Sequence, residues 1–353
     1  MPLLQFKGKT ATREGWQMKM KSIISQVVLL CTIVFLNSPS SAQTAKLAAA
    51  YGALSADQLV LWVAKDAGIF ARNNLDVQLI FFTGGALAVM AMVSGDTPII
   101  QASGPAIVSA GLAGADGVYV AGGIVSLDYQ LMTLPEIKTP EQLKGGSVAI
   151  ARFGGAADFV ARFALSKIGL NPLKDVTIVQ VGTTPDRLTA LEARRVQATV
   201  LVPPTTFQAQ KKGFYLLADV ATLGLAYQHQ GIATTRRFIR ERPDIVRNFV
   251  RSYIEAVHRM KSDRQGGIKT LAKYLHLDDK EVLEKTYDNS ISDNKLPPKQ
   301  YPTLEGLKTI LDQLAQKDPK AKAAKPQDFV DSRFIEEFDK AGFIDGLYGR
   351  RKN

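Results

Sequence analysis

The chain has 353 residues, with 44 Lys and Arg against 33 Asp and Glu and a net charge of +11. Its 46% apolar content is that of a globular protein with a sizeable core, which excludes disorder over most of the length. The basic residues are dispersed, apart from pairs such as Lys211-Lys212 and Arg236-Arg237. No aromatic-interleaved basic stripe is present, so the surplus reads as solvated surface and not as a nucleic-acid interface.

Met18-Lys19-Met20-Lys21 forms a positive segment, followed by an apolar run from Ile23 to Leu36 that is short for a bilayer span. Ser40 and Ala42 then stand at the −3 and −1 positions of a secretory cleavage site. Residues 1–42 are therefore predicted to be a signal peptide with an upstream extension, directing the rest to the periplasm. An uncleaved anchor helix is the other reading of the same run. Five Lys and Arg against Glu14 in this segment leave +7 for the remainder. The single cysteine, Cys31, lies in the apolar run after Leu30, where a lipidated signal needs a small residue. The mature chain is thus predicted to have no cysteine, which excludes disulfides, thiolate nucleophiles and cysteine-held metal.

Beyond the signal, short β-rich runs alternate with helical patterns, the mark of an α/β fold. Strands are predicted at 46–51, 77–82, 99–102 and 118–124. Leu59, Trp62, Val63 and Ala67 recur at helical spacing before Gly68, and further helices are predicted at 86–93 and after Ser103-Gly104-Pro105 as far as Leu112. A second set follows with the same order. Its strands are 147–151, 176–181, 198–202 and an edge strand at 214–217, and its helices end near Gly169, open at Thr184-Pro185 with Thr184 as cap, and run through Lys212. After a strand at 231–235 the chain turns helical. Val246, Phe249, Val250, Tyr253, Val257 and Met260 share one face, with more helix near 268–275 and 280–287. Asp278-Asp279 reads as a helix cap, and residues 317–327 read as a solvated loop.

In parallel α/β sheets ligands bind beyond the carboxyl ends of strands. Here the loops at those ends are built from small and hydroxylic residues. They contain Ser55, Gly84 and Gly85, Ser103 and Gly104, Gly154 and Gly155, Thr183 and Thr184, and Pro203. Glycine lets a ligand approach the backbone, and helix starts offer N–H groups to anions or acceptors. Arg152 and Phe153 precede one glycine pair, so an anionic group and an apolar body are both expected in the solute. Trp62 and His229 complete the candidate set, Trp62 being equally suited to the core. No metal-ligand spacing exists among the three histidines, and no Gly-x-Ser-x-Gly elbow, Walker loop or His-Glu-x-x-His occurs. The expectation is a binding protein without cofactor or catalytic residues.

Leu61-Trp62-Val63-Ala64-Lys65-Asp66-Ala67-Gly68-Ile69-Phe70, Asn74-Leu75-Asp76-Val77, Val93-Ser94-Gly95-Asp96, Pro140-Glu141-Gln142-Leu143-Lys144-Gly145 and Ala190-Leu191-Glu192-Ala193 form a recognisable set. With Asp219 after Gly213-Phe214, they make the chain, from about residue 46 to 260, resemble the periplasmic substrate-binding proteins of ABC importers. The branch is the one containing nitrate, sulfonate, taurine and thiamine-precursor binders. The resemblance implies a type II two-lobed fold with a hinged cleft. Its parts would be 43–128 (first part of lobe 1), 129–229 (lobe 2) and 230–353 (second part of lobe 1 and C-terminal helices), with crossovers near 128–133 and 230–235. It also implies a small-molecule solute, a membrane permease as partner, a monomer, and ligand contacts from Ser55, Gly84, Ser103, Gly154 and Thr183. The chain departs from the family pattern at Arg194-Arg195-Val196-Gln197, where a glycine and an acid are usual. Two other readings compete: an enzyme like the one that makes the pyrimidine precursor of thiamine, which needs a cysteine-rich motif, and a solute-sensing adaptor.

Overall fold

The computed structural model describes residues 44–223 and 226–349. The signal-peptide expectation and Cys31 lie outside the described residues.

The first half builds one sheet. Its strands are β1 (Ala45–Tyr51), β2 (Leu75–Phe81), β3 (Ile99–Ala102) and β4 (Gly117–Ala121). Helices α1 (Leu59–Asp66), α2 (Ile69–Arg72), α3 (Gly85–Ser94) and α4 (Gly104–Leu112) alternate with them. The left-handed Gly68 that ends the first helical run has φ 65°. The second sheet is built from β5 (Gln130–Thr133), β6 (Ser147–Ile150), β7 (Thr177–Gln180), β8 (Ala198–Leu201) and β9 (Tyr215–Asp219). Between them run α5 (Pro140–Leu143), α6 (Ala156–Lys167), α7 (Thr184–Glu192) and α8 (Thr205–Lys211). The chain then returns to the first sheet as β10 (Gly231–Thr235) and ends in helices. These are α9 (Arg236–Glu241), α10 (Pro243–Ser262), α11 (Arg264–Leu275), α12 (Lys280–Ser290), α13 (Leu304–Leu314), α14 (Pro319–Ala323), α15 (Arg333–Lys340) and α16 (Phe343–Leu347).

The strand orders are β2-β1-β3-β10-β4 and β7-β6-β8-β5-β9, the same pattern twice. Each sheet is parallel except for one inserted strand. β10 runs antiparallel to β3 and β4, and β5 antiparallel to β8 and β9. The inserted strand is in each case the one the chain forms just after crossing from the other lobe, so the crossovers and not the local pattern decide its direction. The two crossing segments are bonded to one another, because the N–H groups of His229 and Gln230 both donate to Ile124 O, at 2.9 and 3.1 Å. Gly123 beside this contact has φ 149°, and a Cβ there would sit 2.5 Å from Gln230 O and 2.9 Å from the Tyr253 hydroxyl. Only glycine lets the strands pass so closely. The C-terminal segment straps the first crossing: Gly122 N–H donates to Gln300 O (2.7 Å) and Val125 N–H to Lys295 O (2.9 Å).

The apolar face predicted from Val246 to Met260 is buried against α1, where Leu59 and Trp62 meet Phe249 and Tyr253 in one core. Two details differ from the sequence reading. Thr183, one residue earlier than expected, caps α7, because its Oγ1 accepts from Asp186 N–H while Asp186 Oδ2 accepts from Thr183 N–H. Residues 317–327 are not simply loop: they contain α14, capped by Asp318, and a 3-10 turn from Pro326 to Phe329, whose ring is buried against Gly111. Phe329 anchors the segment through a contact distant in sequence. Arg194 adopts the left-handed conformation usual for glycine, with φ 55°, and reaches Glu136 across the surface. Gln197 stands where an acid was expected and accepts from Ser147 N–H (2.8 Å) and Oγ (3.0 Å).

Candidate functional site

The loops leaving β1, β2 and β3 in the first lobe face those leaving β6 and β7 in the second, around a crevice of about 40 Å³. Small residues make this approach possible. Gly84 has φ 95°, and a Cβ there would come within 2.9 Å of Arg152 Cγ on the other lobe. Gly85, Gln101 and Ser103 line the first wall, Tyr129 and Gln230 come from the crossing segments, and Arg152, Gly155, Thr183, Thr184 and Arg187 line the second. No carboxylate is among the lining residues.

Arg187 is the dominant charge. It is 2% exposed. Its guanidinium donates to Gly182 O (2.9 Å), Val200 O (3.0 Å) and Thr184 Oγ1 (3.3 Å), all neutral acceptors, and its Nε has no partner among the described residues. Burial pulls its pKa down to about 10, opposed by Tyr129 and Asp186. Gln101 is oriented from behind, since its Nε2 donates to Asp57 O at 2.6 Å and leaves Oε1 without a partner. Ser103 Oγ and Gln230 Oε1 are also buried and unpaired. Buried polar atoms are normally satisfied, so a cluster of four unpaired ones on a crevice wall marks a place where a polar guest completes the bonding.

The sequence-predicted residues divide. Gly84, Gly85, Ser103, Arg152, Gly155, Thr183 and Thr184 meet at the crevice. Gly154 borders a separate, more open depression of about 620 Å³ between α4, α6 and α13, and its N–H donates to Asp158 Oδ2. Phe153 is 50% exposed, with its N–H on Gln180 Oε1. Ser55, Trp62, Gly104, Pro203 and His229 are not on the crevice wall. Trp62 is fully buried, stacked on Tyr274 at 4.8 Å and edge-on to Tyr51, because its helix face is turned to the core. Gly104 donates to Gln228 O, and Pro203 O accepts from Ala56 N–H across the lobes at 3.3 Å.

His229 and Ser55 form a buried group behind the crevice. His229 Nε2 lies 3.1 Å from Asp57 Oδ2, and Ser55 Oγ donates to the same oxygen at 3.1 Å. Tyr129 packs edge-on to the imidazole, at 5.3 Å, between it and the crevice. Burial works to raise the Asp57 pKa, but the neighbouring His229 and its hydrogen bond, Lys295 and the Ser55 hydroxyl outweigh it, and the carboxyl is held below its usual range. The geometry is not a nucleophile relay. A relay needs serine to donate to histidine and histidine to the carboxylate, whereas here both converge on one carboxylate oxygen. Among the described residues no group of His, Cys, Asp and Glu is disposed to hold a metal, and no helix is long and apolar enough to cross a membrane.

Arg187, Gln101, Tyr129, Gln230 and Asp57 were not anticipated. Arg187 had one signal: an arginine in the first turn of a helix opposes the helix dipole, so its charge needs another reason to be there. Gln101 lies inside a strand and carries no sequence mark at all.

Comparison with known proteins agrees with this architecture. Solved structures of similar shape include a Bordetella bronchiseptica RB50 protein, with a TM-score of 0.74 at 22% identity over 86% of this chain and 98% of that one. The alkanesulfonate-binding protein SsuA of Xanthomonas axonopodis pv. citri, bound to MOPS, gives 0.68 at 21% over 82% and 99%. The periplasmic nitrate-binding protein NrtA of Synechocystis PCC 6803 gives 0.72 at 14% over 85% and 89%. At these identities the likeness is one of fold. A Brachyspira hyodysenteriae protein named as a candidate ABC transporter periplasmic binding protein is 26% identical over 121 residues, a stretch covering 34% of each chain. The NMT1/THI5-like family model matches residues 55–265, which include the second sheet, all of the first except β1, and most of the crevice wall, and the chain belongs to that family.

Proposed function

We propose that the protein is the extracytoplasmic solute-binding component of an ABC importer: a monomer that traps a small molecule between its lobes in the periplasm and hands it to a membrane permease without altering it. The observation that carries this reading is the crevice itself. Both lobes contribute its walls, those walls hold unpaired hydrogen-bonding groups, and the one histidine–carboxylate pair nearby is turned inward. The absence of cysteine after Cys31 in the sequence counts against the thiamine-precursor enzyme. The signal-like N-terminus and the relative from Brachyspira support the periplasmic setting.

Closure supplies the mechanism. A solute held by one lobe meets the other only when the cleft shuts, so its differential affinity favours the closed state, which the permease reads. Contacts between lobes already favour closure: Ala56 N–H to Pro203 O, Gln313 Nε2 to Phe159 O (3.4 Å), and Lys211 to Asp279 (2.8 Å).

A thermal-shift screen over sulfonates, carboxylates, aromatic acids and pyrimidines tests the reading. A specific solute at a hundredfold excess over Kd adds about 2.7 kcal/mol, a rise of roughly 5 °C for a chain of this size. The solute should then be recovered unchanged. No shift with any class, or conversion of the bound compound, overturns it.

A further inference from the structure

We propose that the depression between α4, α6 and α13 is a second binding site, distinct from the crevice, and that it takes an amphipathic monoanion: a medium-chain carboxylate whose apolar tail lies between the helices and whose head meets Arg162 and Lys317. The inference does not depend on which solute the crevice takes.

The two spaces differ in size and chemistry. They lie on either side of the Gly154-Gly155 turn, and Gly155 lines both. The crevice measures about 40 Å³ and is walled by glycine, amide, hydroxyl and guanidinium groups. The depression measures about 620 Å³, the size of an ordinary small-molecule pocket. Its walls carry Pro105 from α4, Phe159 and Leu170 from the second lobe and Leu314 from α13. Leu173, also on the lining, is 63% exposed, one of the few large apolar side chains left to solvent among the described residues. Apolar surface of this kind, gathered in a trough, gains by being covered.

The charges on the lining are used unequally. Asp158 is its single carboxylate, and both oxygens are taken: Oδ1 accepts from Arg162 Nε at 2.7 Å and Oδ2 from Gly154 N–H at 3.0 Å. Arg162 uses only Nε for this pair. Its two terminal nitrogens bond no group among the described residues, although the side chain is only 21% exposed. Lys317, just past α13, forms no ion pair among the described residues. Two cations against one carboxylate leave the lining at +1. The open end of the guanidinium can hold a carboxylate through two parallel hydrogen bonds. A neutral or cationic head leaves that surplus unanswered.

Helices α4 and α13 belong to the first lobe and α6 to the second, and Gln313 Nε2 of α13 donates to Phe159 O across this boundary at 3.4 Å. The site is whole only when the lobes are shut, so an occupant touching both walls favours the shut form.

The test titrates the full-length chain with decanoate, kept below the concentration at which it self-associates. Three probes accompany it: decyltrimethylammonium (same tail, opposite charge), 1-decanol (same tail, no charge) and butyrate (same head, short tail). Decanoate is expected to bind at least about tenfold more tightly than each, the tail contributing through burial and the head through Arg162. Arg162→Gln should weaken decanoate about tenfold and bring it level with 1-decanol. Ser109→Trp, which fills the trough from the half-buried α4 side, should abolish binding. Leu173→Asp, at an exposed position that folding tolerates, should weaken decanoate about tenfold, and it keeps the location testable if either other variant does not fold. No binding of decanoate overturns the inference. So does equal binding of the three decyl probes, butyrate matching decanoate, or decanoate binding that none of the three substitutions changes. The thermal-shift screen decides the crevice reading by itself, so the two readings fail separately.

Discussion

Two buried ionic groups flank the same crevice and differ in one respect. Asp57 is matched by His229 and Ser55, with Gln101 bonded to its backbone and Lys295 near enough to stabilise its charge. Arg187 is matched only by neutral carbonyls and a hydroxyl, and one of its nitrogens has no partner. The first arrangement is complete without a guest and ties the second crossing segment to the loop after β1. The second is incomplete and opens on the space where a guest fits. Burial alone therefore does not distinguish a structural charge from a binding one; whether the charge is already answered does.

Substitutions can break or sharpen this contrast. Asp57→Asn should have the largest effect, a loss of about 3 kcal/mol in unfolding free energy, because it breaks a buried hydrogen-bonded group of His229, Ser55 and the carboxylate. Chemical denaturation measures it, and a loss below about 1 kcal/mol would mean that the pair is not structural. The acid limb should follow from the same carboxyl. Its pKa is depressed in the folded state, so its contribution is present above the unfolded value, near 4, and is lost as pH falls through the folded one. Melting curves should be steady from neutrality to about pH 5 and decline below about pH 4, with a shallower decline in Asp57→Asn.

Arg187→Met should behave oppositely, changing stability by no more than about 1 kcal/mol, since an unanswered charge is removed in exchange for lost hydrogen bonds. Destabilisation comparable to that of Asp57→Asn would make Arg187 a structural residue and erase the contrast. The smallest effect belongs to Lys211→Glu, at the exposed bridge to Asp279. Such bridges contribute little, so binding measured by calorimetry should weaken by no more than about threefold. A larger loss would move the control of closure from the crevice to the rim.

Much of this was readable from sequence. Gly68, Gly84, Gly95 and Gly169 stop helices or open loops with positive φ, and the runs between them alternate as a repeated α/β pattern. Seven of the fourteen candidate site residues lie at the crevice, six of them by one local rule, a small or hydroxylic residue just past a strand, and Arg152 by its place beside one such loop. Trp62 and Phe153 fail that rule for opposite reasons. Trp62 is carried inward by the apolar face of α1, and Phe153 is turned toward solvent by a tight turn. The cap of α7 shifted by one residue because Asp186 closes the hydrogen-bond ring on Thr183 and not on Thr184.

By itself the sequence determined where strands end, which helix faces are apolar and which loops are small enough for close approach, since each follows from backbone and side-chain preferences acting over a few residues. Only the tertiary structure decided that β5 and β10 run antiparallel, that His229 answers Asp57 from 172 positions away, and that among the described residues no carboxylate pairs with Arg187. These depend on which groups are brought together when the chain crosses between lobes, and the charge of a buried site is set by the neighbours it lacks as much as by those it has.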